Sequence, residues 1–164
     1  MIDETTLNNI LQKAINLTRE CNIPISSNIN PHISISKAET YWGICRYKNG
    51  LYSISVSSRL LEAQDIKEVY NTIIHEVLHT CKGCGNHGPL WKKYADIINQ
   101  KYDLNIKRST SYLEKGAPEP NYKYIVKCSN PGCMKVYKRK NKSSIIKHPE
   151  KYACGICNSP LTHA

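Results

Sequence analysis

The apolar residues near the start of the chain recur at the spacing of one helical face. Leu7, Ile10, Leu11 and Ala14 follow the i, i+3, i+4, i+7 pattern, and polar residues separate them. The sequence therefore predicts an amphipathic helix over residues 5–20.

Shorter apolar segments follow, with a period closer to two. Residues 32–36 alternate enough to predict a short strand. Over residues 42–56, the dipeptide Asn49-Gly50 separates two apolar stretches, and Asn-Gly is a strong short-range signal for a two-residue β-hairpin turn. We therefore predict a hairpin there.

Two more helices are predicted in the middle of the chain. The first begins at about residue 66, where Asp65 and Glu68 form a pattern like a capping box. Its apolar residues cover a wide surface, so it should be central and buried, and it should end near residues 81–85, where two glycines occur. The second should run from Pro89 to Tyr102, with Pro89 in the first turn.

The remaining pattern predicts two domains. Residues 107–121 mix charges, glycine and proline and are typical of a linker. We expect an α+β domain over residues 1–115, with helices packed on a small antiparallel sheet, and a small separate domain over residues 122–164.

Charge separates the two predicted parts of the chain. Residues 1–120 hold 14 Lys/Arg and 12 Asp/Glu, a net of +2, whereas residues 121–164 hold nine Lys/Arg and one Glu, a net of +8. A basic module favours a polyanionic partner, most commonly nucleic acid. An anionic membrane surface fits less well, because the basic module shows no amphipathic helix.

The chain shows no pattern typical of secretion or of membrane insertion. Its N-terminus lacks a basic stretch followed by an apolar one, and no stretch approaches 18 apolar residues. Eight cysteines without a secretion signal indicate a reducing compartment, where they act as thiols or metal ligands. We expect a monomeric protein of the cytoplasm, with no membrane partner and with a potential association with the nucleoid.

The strongest chemical motif lies on the second predicted helix. His75, Glu76 and His79 form H-E-x-x-H, in which two imidazoles one turn apart can bind one metal ion. A catalytic zinc site needs three protein ligands, and His87, just past the glycines, is the best third candidate. The alternatives are two histidines that only form hydrogen bonds, or a metal held only for structure.

This arrangement indicates metal-assisted amide hydrolysis. Zinc lowers the pKa of a bound water from about 15.7 toward about 7, and the activated water attacks a peptide carbonyl. Glu76 would act as the general base and pass the proton to the leaving amine.

The basic module carries a second metal motif. Two close pairs of cysteines, separated by twenty residues, are typical of a four-cysteine zinc ribbon, in which the metal supplies the folding energy. Two Zn²⁺ ions are therefore expected, one catalytic and one structural. The predicted ligands of the structural ion are Cys128, Cys133, Cys154 and Cys157.

Basic residues lie between those cysteine pairs and could neutralise phosphates, while nearby tyrosines could stack on unpaired bases. We predict DNA, single-stranded or structured, as the partner of this module, bound by charge and shape. The alternative is a solvated basic surface. The candidate contacts are Lys135, Lys138, Arg139, Lys140 and Lys142.

The H-E-x-x-H segment, followed by His87-Gly88-Pro89-Leu90-Trp91, resembles the SprT-like metallopeptidases, as do the hairpin from Trp42 and the cysteine pairs. The resemblance implies a zincin-like minimal metallopeptidase domain followed by a zinc ribbon. It also implies a zinc-dependent endopeptidase with a protein substrate. Its Spartan branch cleaves proteins attached to DNA, which suggests a role in DNA–protein crosslink repair. The alternatives are a non-enzymatic nucleic-acid-binding zinc protein that retains the motif, and a hydrolase of a small amide.

Two further expectations concern the surroundings of the motif. Cys81 and Cys84 are expected to be free or packing thiols, although a disulfide or a second metal site with Cys45 or Cys21 is an alternative. Residues 54–57 could form an edge strand to which a peptide adds, or an ordinary paired strand.

Overall fold

The computed structural model describes residues 2–63, 65–111, 115 and 119–164. The chain divides into two compact units, Met1–Glu119 and Pro120–Ala164. The predicted linker over residues 107–121 lies partly outside the described residues.

The first unit begins with helix α1, Glu4–Glu20. The Asp3 side chain accepts a hydrogen bond from the Thr6 N–H at 2.8 Å and so caps the helix. The helical periodicity then places one apolar stripe, including Leu7 and Leu11, in the core, where α1 packs on helix α3, Ile66–Leu78. The predicted first helix is thus confirmed to within one residue.

Three strands form the sheet of this unit in the order β1-β3-β2: β1 Ser34–Ser36, β2 Gly43–Lys48 and β3 Leu51–Ser57. Asn49 and Gly50 both have positive φ, 51° and 82°, as a tight hairpin turn requires. The expectation of an antiparallel sheet is wrong for β1, which pairs parallel to β3. The cause is that the chain passes from β1 to the far edge, β2, before it returns through the hairpin to the central strand.

Helix α3 follows the sheet after a short helix, α2 Ser58–Glu62, that the sequence pattern did not predict. The Asp65 carboxylate accepts hydrogen bonds from the Lys67 and Glu68 N–H groups and caps α3. Most side chains of α3 are buried, because α1, the sheet and helix α4 all pack against it. Helix α4, Pro89–Tyr102, has the bounds that the sequence predicted.

The second unit is built on a three-stranded antiparallel sheet in the order β5-β4-β6. Its apolar core is small: the buried aliphatic side chains are Val126, Ile146 and Leu161, and the cysteines pack beside them. The elements are β4 Tyr124–Cys128, β5 Val136–Arg139, α5 Ser144–Lys147, a 3-10 turn Pro149–Lys151 and β6 Leu161–His163.

Within the described parts of the chain, no helix has the length and apolar character needed to cross a membrane.

The contact between α1 and α3 generates a stability prediction. Leu11 is 1% exposed, so Leu11→Ala should lower the free energy of unfolding of the first unit by about 2–5 kcal/mol through lost burial and a residual cavity. Both tryptophans of the chain lie in this unit, so urea unfolding followed by tryptophan fluorescence measures it directly. Leu51→Ala makes the same change at a side chain that is 41% exposed, and should cost well under 1 kcal/mol. Equal losses for the two variants would contradict the proposed packing.

Candidate active site

Helix α3 brings the first three motif residues to one place. His75 and Glu76 lie in its last turn, and His79 is the C-cap residue that follows Leu78. Because residues i and i+4 share a helix face, the two imidazoles point the same way, with Nε2 atoms 3.3 Å apart.

His87 completes the group from the turn that precedes α4. Its Nε2 lies 2.8 Å from Nε2 of His75, and one nitrogen from each of the three rings falls within 4.8 Å of the others. The structure thus brings together the three histidines that the sequence nominated. For tetrahedral zinc bonds of about 2.0–2.1 Å, ligand nitrogens would be about 3.3–3.4 Å apart, which is comparable to these spacings.

In His75 and His79, a hydrogen bond at Nδ1 leaves Nε2 able to bind a cation. Nδ1 of His75 lies 2.9 Å from the Lys107 carbonyl oxygen, and Nδ1 of His79 lies 2.7 Å from the Cys84 carbonyl oxygen. A carbonyl oxygen only accepts, so each Nδ1 must carry the proton. In a neutral ring the Nε2 lone pair is then free, and a cation between such lone pairs would relieve their repulsion.

The protonation state of His75 agrees with this assignment. Burial, followed by the neighbouring His79, lowers the pKa of His75 to about 3, so the ring is neutral at neutral pH. Burial also lowers the pKa of His87, and Arg108 contributes in the same direction. The donor chemistry of the three rings therefore fits a divalent metal such as zinc.

An indole ring lies directly against the three imidazoles. The Trp91 ring centroid is 4.6 Å from that of His75, 5.8 Å from that of His79 and 4.7 Å from that of His87. Trp91 is 1% exposed and belongs to the core, so the histidines rest on a rigid apolar surface rather than on solvent. Such packing restricts the rotamers of the rings.

Glu76 lies beside the three histidines without joining their cluster. Its Oε1 is 4.0 Å from Nε2 of His75, and the residue is 5% exposed. Burial raises the pKa of Glu76 to about 8, while a hydrogen bond from the Cys45 backbone N–H opposes that rise. A cation bound nearby would favour the ionised carboxylate.

These residues line an open cavity of about 620 Å³. One wall is β2, through Gly43, Ile44 and Cys45, and another is the chain around residues 105–110. The interpretation of residues 107–110 as a linker is wrong, because the Lys107 carbonyl contacts His75 and the Thr110 carbonyl accepts a hydrogen bond from the Trp42 indole at 3.1 Å. This segment is held in the cavity wall through its main-chain carbonyl groups, and such contacts leave no pattern of side chains in the sequence.

Lys115 is a further cavity residue that the sequence did not single out. Its ammonium group lies 2.6 Å from Glu68 Oε2 and donates to Thr72 Oγ1 at 2.9 Å, and the residue is 4% exposed. Both partners belong to α3. A buried ammonium group with these acceptors ties residue 115 to the helix that carries His75.

The structure also decides between the two interpretations of residues 54–57. They belong to β3, which pairs with β1 on one side and with β2 on the other, so they form an ordinary paired strand. The edge strand that borders the cavity is β2.

The Cys81 and Cys84 thiols lie in the hydrophobic core, 2% and 0% exposed. Burial raises the pKa of Cys81 to about 12 and also raises the pKa of Cys84. Neither forms a disulfide, which agrees with the expectation of free, packing thiols. Among the described residues, these cysteines join no group that could hold a second metal near the histidines.

The second unit carries a cluster of four thiols, from Cys128, Cys133, Cys154 and Cys157. The Sγ atoms of Cys128 and Cys157 are 3.4 Å apart, and those of Cys133 and Cys154 are 3.7 Å apart. Zinc–sulfur bonds of about 2.3 Å in a tetrahedron place sulfurs about 3.7–3.8 Å apart, so this cluster also fits a zinc ion.

Tyr137, one of the tyrosines near the cysteine pairs, contacts this cluster through its hydroxyl. Its hydroxyl donates to Cys154 Sγ at 3.3 Å and accepts from the Gly155 N–H at 2.9 Å. The Tyr137 hydroxyl is the main cause that lowers the pKa of Cys154 to about 6, followed by backbone N–H groups. A thiolate held in this way is ready to bind a cation.

The predicted nucleic-acid contacts of the second unit occupy different positions relative to β5. In β5, Lys138 points outward beside Ile125 of β4, and Val136 pairs with Lys127. These four exposed residues form what we call the outer face of the β4–β5 pair. Of the predicted nucleic-acid contacts, Lys138 lies on this face, whereas Lys135 precedes β5, Arg139 ends it, and Lys140 and Lys142 follow it. Lys127 was not among the predicted contacts.

The sequence of the first unit is similar to that of known proteins. The family model described as SprT-like matches residues 14–110, more than half of the chain. DNA-dependent metalloprotease SPRTN is similar in two species: it is 33% identical over 73 residues in both Xenopus tropicalis and Danio rerio, covering 39% of this chain.

The HMG box-containing protein C19G7.04 of Schizosaccharomyces pombe is 29% identical over 115 residues, which cover 66% of this chain. The matches cover 17% of the Xenopus relative, 12% of the Danio relative and 29% of the Schizosaccharomyces relative. The chain therefore spans less than a third of the length of these curated relatives.

The position of the Tyr137 hydroxyl generates a prediction for the cysteine cluster. Tyr137→Phe removes one hydrogen bond to Cys154 Sγ and should weaken retention of the metal by about tenfold, measured by competition with a colorimetric zinc chelator. Tyr152→Phe is the matched control in the same unit and should leave retention unchanged. An equal effect of both variants would show that the Tyr137 hydroxyl has no special part in holding the metal.

Proposed function

The chain belongs to the SprT-like family, and we propose that it is a zinc-dependent endopeptidase. One observation carries the proposal: three imidazole nitrogens lie within 4.8 Å of one another, and the buried carboxylate of Glu76 lies 4.0 Å from one of them. That combination is the one that metal-assisted amide hydrolysis requires.

His75, His79 and His87 would hold the catalytic zinc through Nε2. When bound, zinc would supply Lewis acidity, which makes a water molecule acidic enough to lose a proton near neutral pH and polarises a carbonyl group. The carbonyl oxygens of Lys107 and Cys84 hold the His75 and His79 rings in the required tautomer. Mutations that displace either carbonyl should therefore weaken the metal site.

Glu76 would act as the general base and then as the acid. Its carboxylate takes a proton from the attacking water and delivers the proton to the nitrogen of the leaving amine. Burial on α3 suits this task, because a carboxylate shielded from bulk water keeps a pKa closer to neutral than an exposed one.

The cavity supports a protein substrate over a small amide. It is open, has a volume of about 620 Å³, and is lined in part by the edge strand β2. An extended peptide could lie along such a strand. A hydrolase of a small amide stays the alternative that a substrate survey would reveal.

The role of Glu76 generates the central test. Glu76→Gln should lower the cleavage rate of labelled casein by about 10²–10⁴-fold, because the amide cannot accept the proton, while the chain keeps about two zinc ions. The measurements are initial rates and zinc per chain. If Glu76→Gln cleaves as fast as the wild type, Glu76 is not the base. If neither protein cleaves casein or a DNA-bound protein, the alternative of a non-enzymatic zinc protein is favoured.

We also propose that the second unit, over residues 122–164, is a zinc ribbon that binds DNA, so that proteolysis acts on proteins bound or crosslinked to DNA. The four-thiol cluster, the net charge of +8 over residues 121–164 and the outer face with Lys127 and Lys138 support this role. The SPRTN relatives carry the description of DNA-dependent metalloproteases. The two lysines of the outer face can neutralise phosphates of the DNA backbone.

The outer face of the β4–β5 pair generates a binding prediction. Lys127→Glu with Lys138→Glu should weaken binding of a labelled oligo-dT, measured by fluorescence anisotropy over a series of salt concentrations. Loss of two phosphate contacts should make the log–log salt slope about 1.4 shallower. The matched control, Lys13→Glu with Lys93→Glu, changes the net charge equally on exposed helix positions of the first unit. Equal weakening by both pairs would mean that overall charge, and not this face, binds the strand.

A further inference from the structure

Two residues of β2, Gly43 and Cys45, lie beside the Glu76 side chain. The Ser57 N–H donates to the Trp42 carbonyl at 2.8 Å, which sets the alternation of hydrogen bonds between β2 and β3. In an antiparallel pair, every second residue turns its N–H away from the partner strand. Cys45 is such a residue, and its backbone N–H lowers the pKa of the Glu76 carboxyl, which places this N–H on the side of β2 that faces the carboxylate.

Two residues earlier, Gly43 lies against the same side chain. A Cβ atom at position 43 would lie 2.8 Å from Cγ and 2.9 Å from Oε1 of Glu76, and 2.9 Å from Cγ2 of Thr72. Contacts this short do not occur between real Cβ atoms and carbon or oxygen. Any side chain at position 43 would therefore displace its neighbours.

The requirement at position 43 is for space and not for an unusual backbone. Gly50 and Gly83 have positive φ, whereas Gly43 does not. Glycine inside a strand weakens the strand and often marks a close approach by another group. Here the approaching group is the carboxylate that would move the proton.

The packing around Gly43 determines which atoms would move if a side chain were added there. Glu76 and Thr72 are both on α3. The adjacent α3 residues Ile73 and Val77 are 0% exposed, so the helix backbone is held in place by the core. The flexible part is the Glu76 side chain. An added methyl group would rotate it away from both the Cys45 N–H and the histidines.

We propose that Gly43 is a positioning residue for Glu76: the missing side chain leaves the space that the carboxylate occupies, and the Cys45 N–H two residues on holds the carboxylate there. The inference rests on the proposed function. Besides the H-E-x-x-H motif, the site would then require a residue without a side chain in β2, next to the general base.

The test compares two Gly→Ala variants of the full chain. Gly43→Ala should lower kcat on labelled casein by about 100-fold, the cost expected for moving a catalytic group by about 1 Å, with KM changed by less than about twofold. Gly85→Ala is the matched control for an added methyl group in the same cavity, because a Cβ there meets no atom within 4 Å and its φ is not positive. It should keep most of the wild-type kcat. Both variants should keep the near-UV circular dichroism of the wild type and about two zinc ions per chain.

A second readout does not depend on cleavage. A charge-assisted hydrogen bond moves the amide proton of Cys45 downfield in a proton–nitrogen NMR spectrum. Gly43→Ala should move this resonance upfield, in the same direction as Glu76→Gln, whereas Gly85→Ala should leave it in place. Thr72→Ser removes the methyl group that makes one of the three short contacts with a Cβ at position 43. The loss of kcat caused by Gly43→Ala should therefore be smaller in a Thr72→Ser background than in the wild-type background.

The possible outcomes separate the two proposals. If Gly43→Ala cleaves as well as Gly85→Ala, or if it loses zinc or folded structure, Gly43 does not act by positioning the carboxylate. If the wild type cleaves nothing, the proposed function fails, while the Cys45 resonance still shows whether position 43 controls the place of Glu76. An unmoved resonance in Gly43→Ala would overturn the inference in either case.

Discussion

The imidazoles of His75 and His79 can direct their Nε2 lone pairs at one point because a main-chain carbonyl holds the opposite nitrogen of each ring. Lone pairs at these separations repel one another unless a cation lies between them. The arrangement therefore depends on elements that are far apart in sequence: α3, the turn to α4, and the chain near Lys107. Much of the first unit can be understood as the scaffold that holds these elements in register.

Burial supplies the rigidity of that scaffold. Helix α3 lies between α1, the sheet and α4, so its last turn cannot shift without disturbing the core. Trp91 extends this core beneath the three rings, and Lys115 is tied to α3 through Glu68 and Thr72. The same burial raises the pKa of Glu76 and lowers that of His75, so packing and proton chemistry have one cause.

The second unit depends on a different interaction. Its apolar core is too small to stabilise 45 residues alone, so a metal held by the four thiols would supply the missing free energy. Tyr137 shows how a residue can belong to both the sheet and the cluster, since its strand β5 pairs with β4 while its hydroxyl contacts Cys154. The outward residues of the same strands are exposed to solvent.

The sequence by itself determined the features that arise between near neighbours in the chain. These are the periodicity of α1, the Asn49-Gly50 turn, the bounds of α4, the i, i+4 placement of His75 and His79, and the spacing of the cysteine pairs. Local geometry decides them, because helical and strand periods place side chains without reference to the rest of the molecule.

Only the tertiary structure decided which distant segments meet. It placed Lys107 and Thr110 in the wall of the cavity, made β2 rather than β3 the edge strand beside it, and set the backbone of Gly43 against Glu76. These contacts involve main-chain atoms or the absence of a side chain, which leave no hydrophobic or charged pattern in a sequence. They arise from the way the elements pack, and packing is a property of the whole unit.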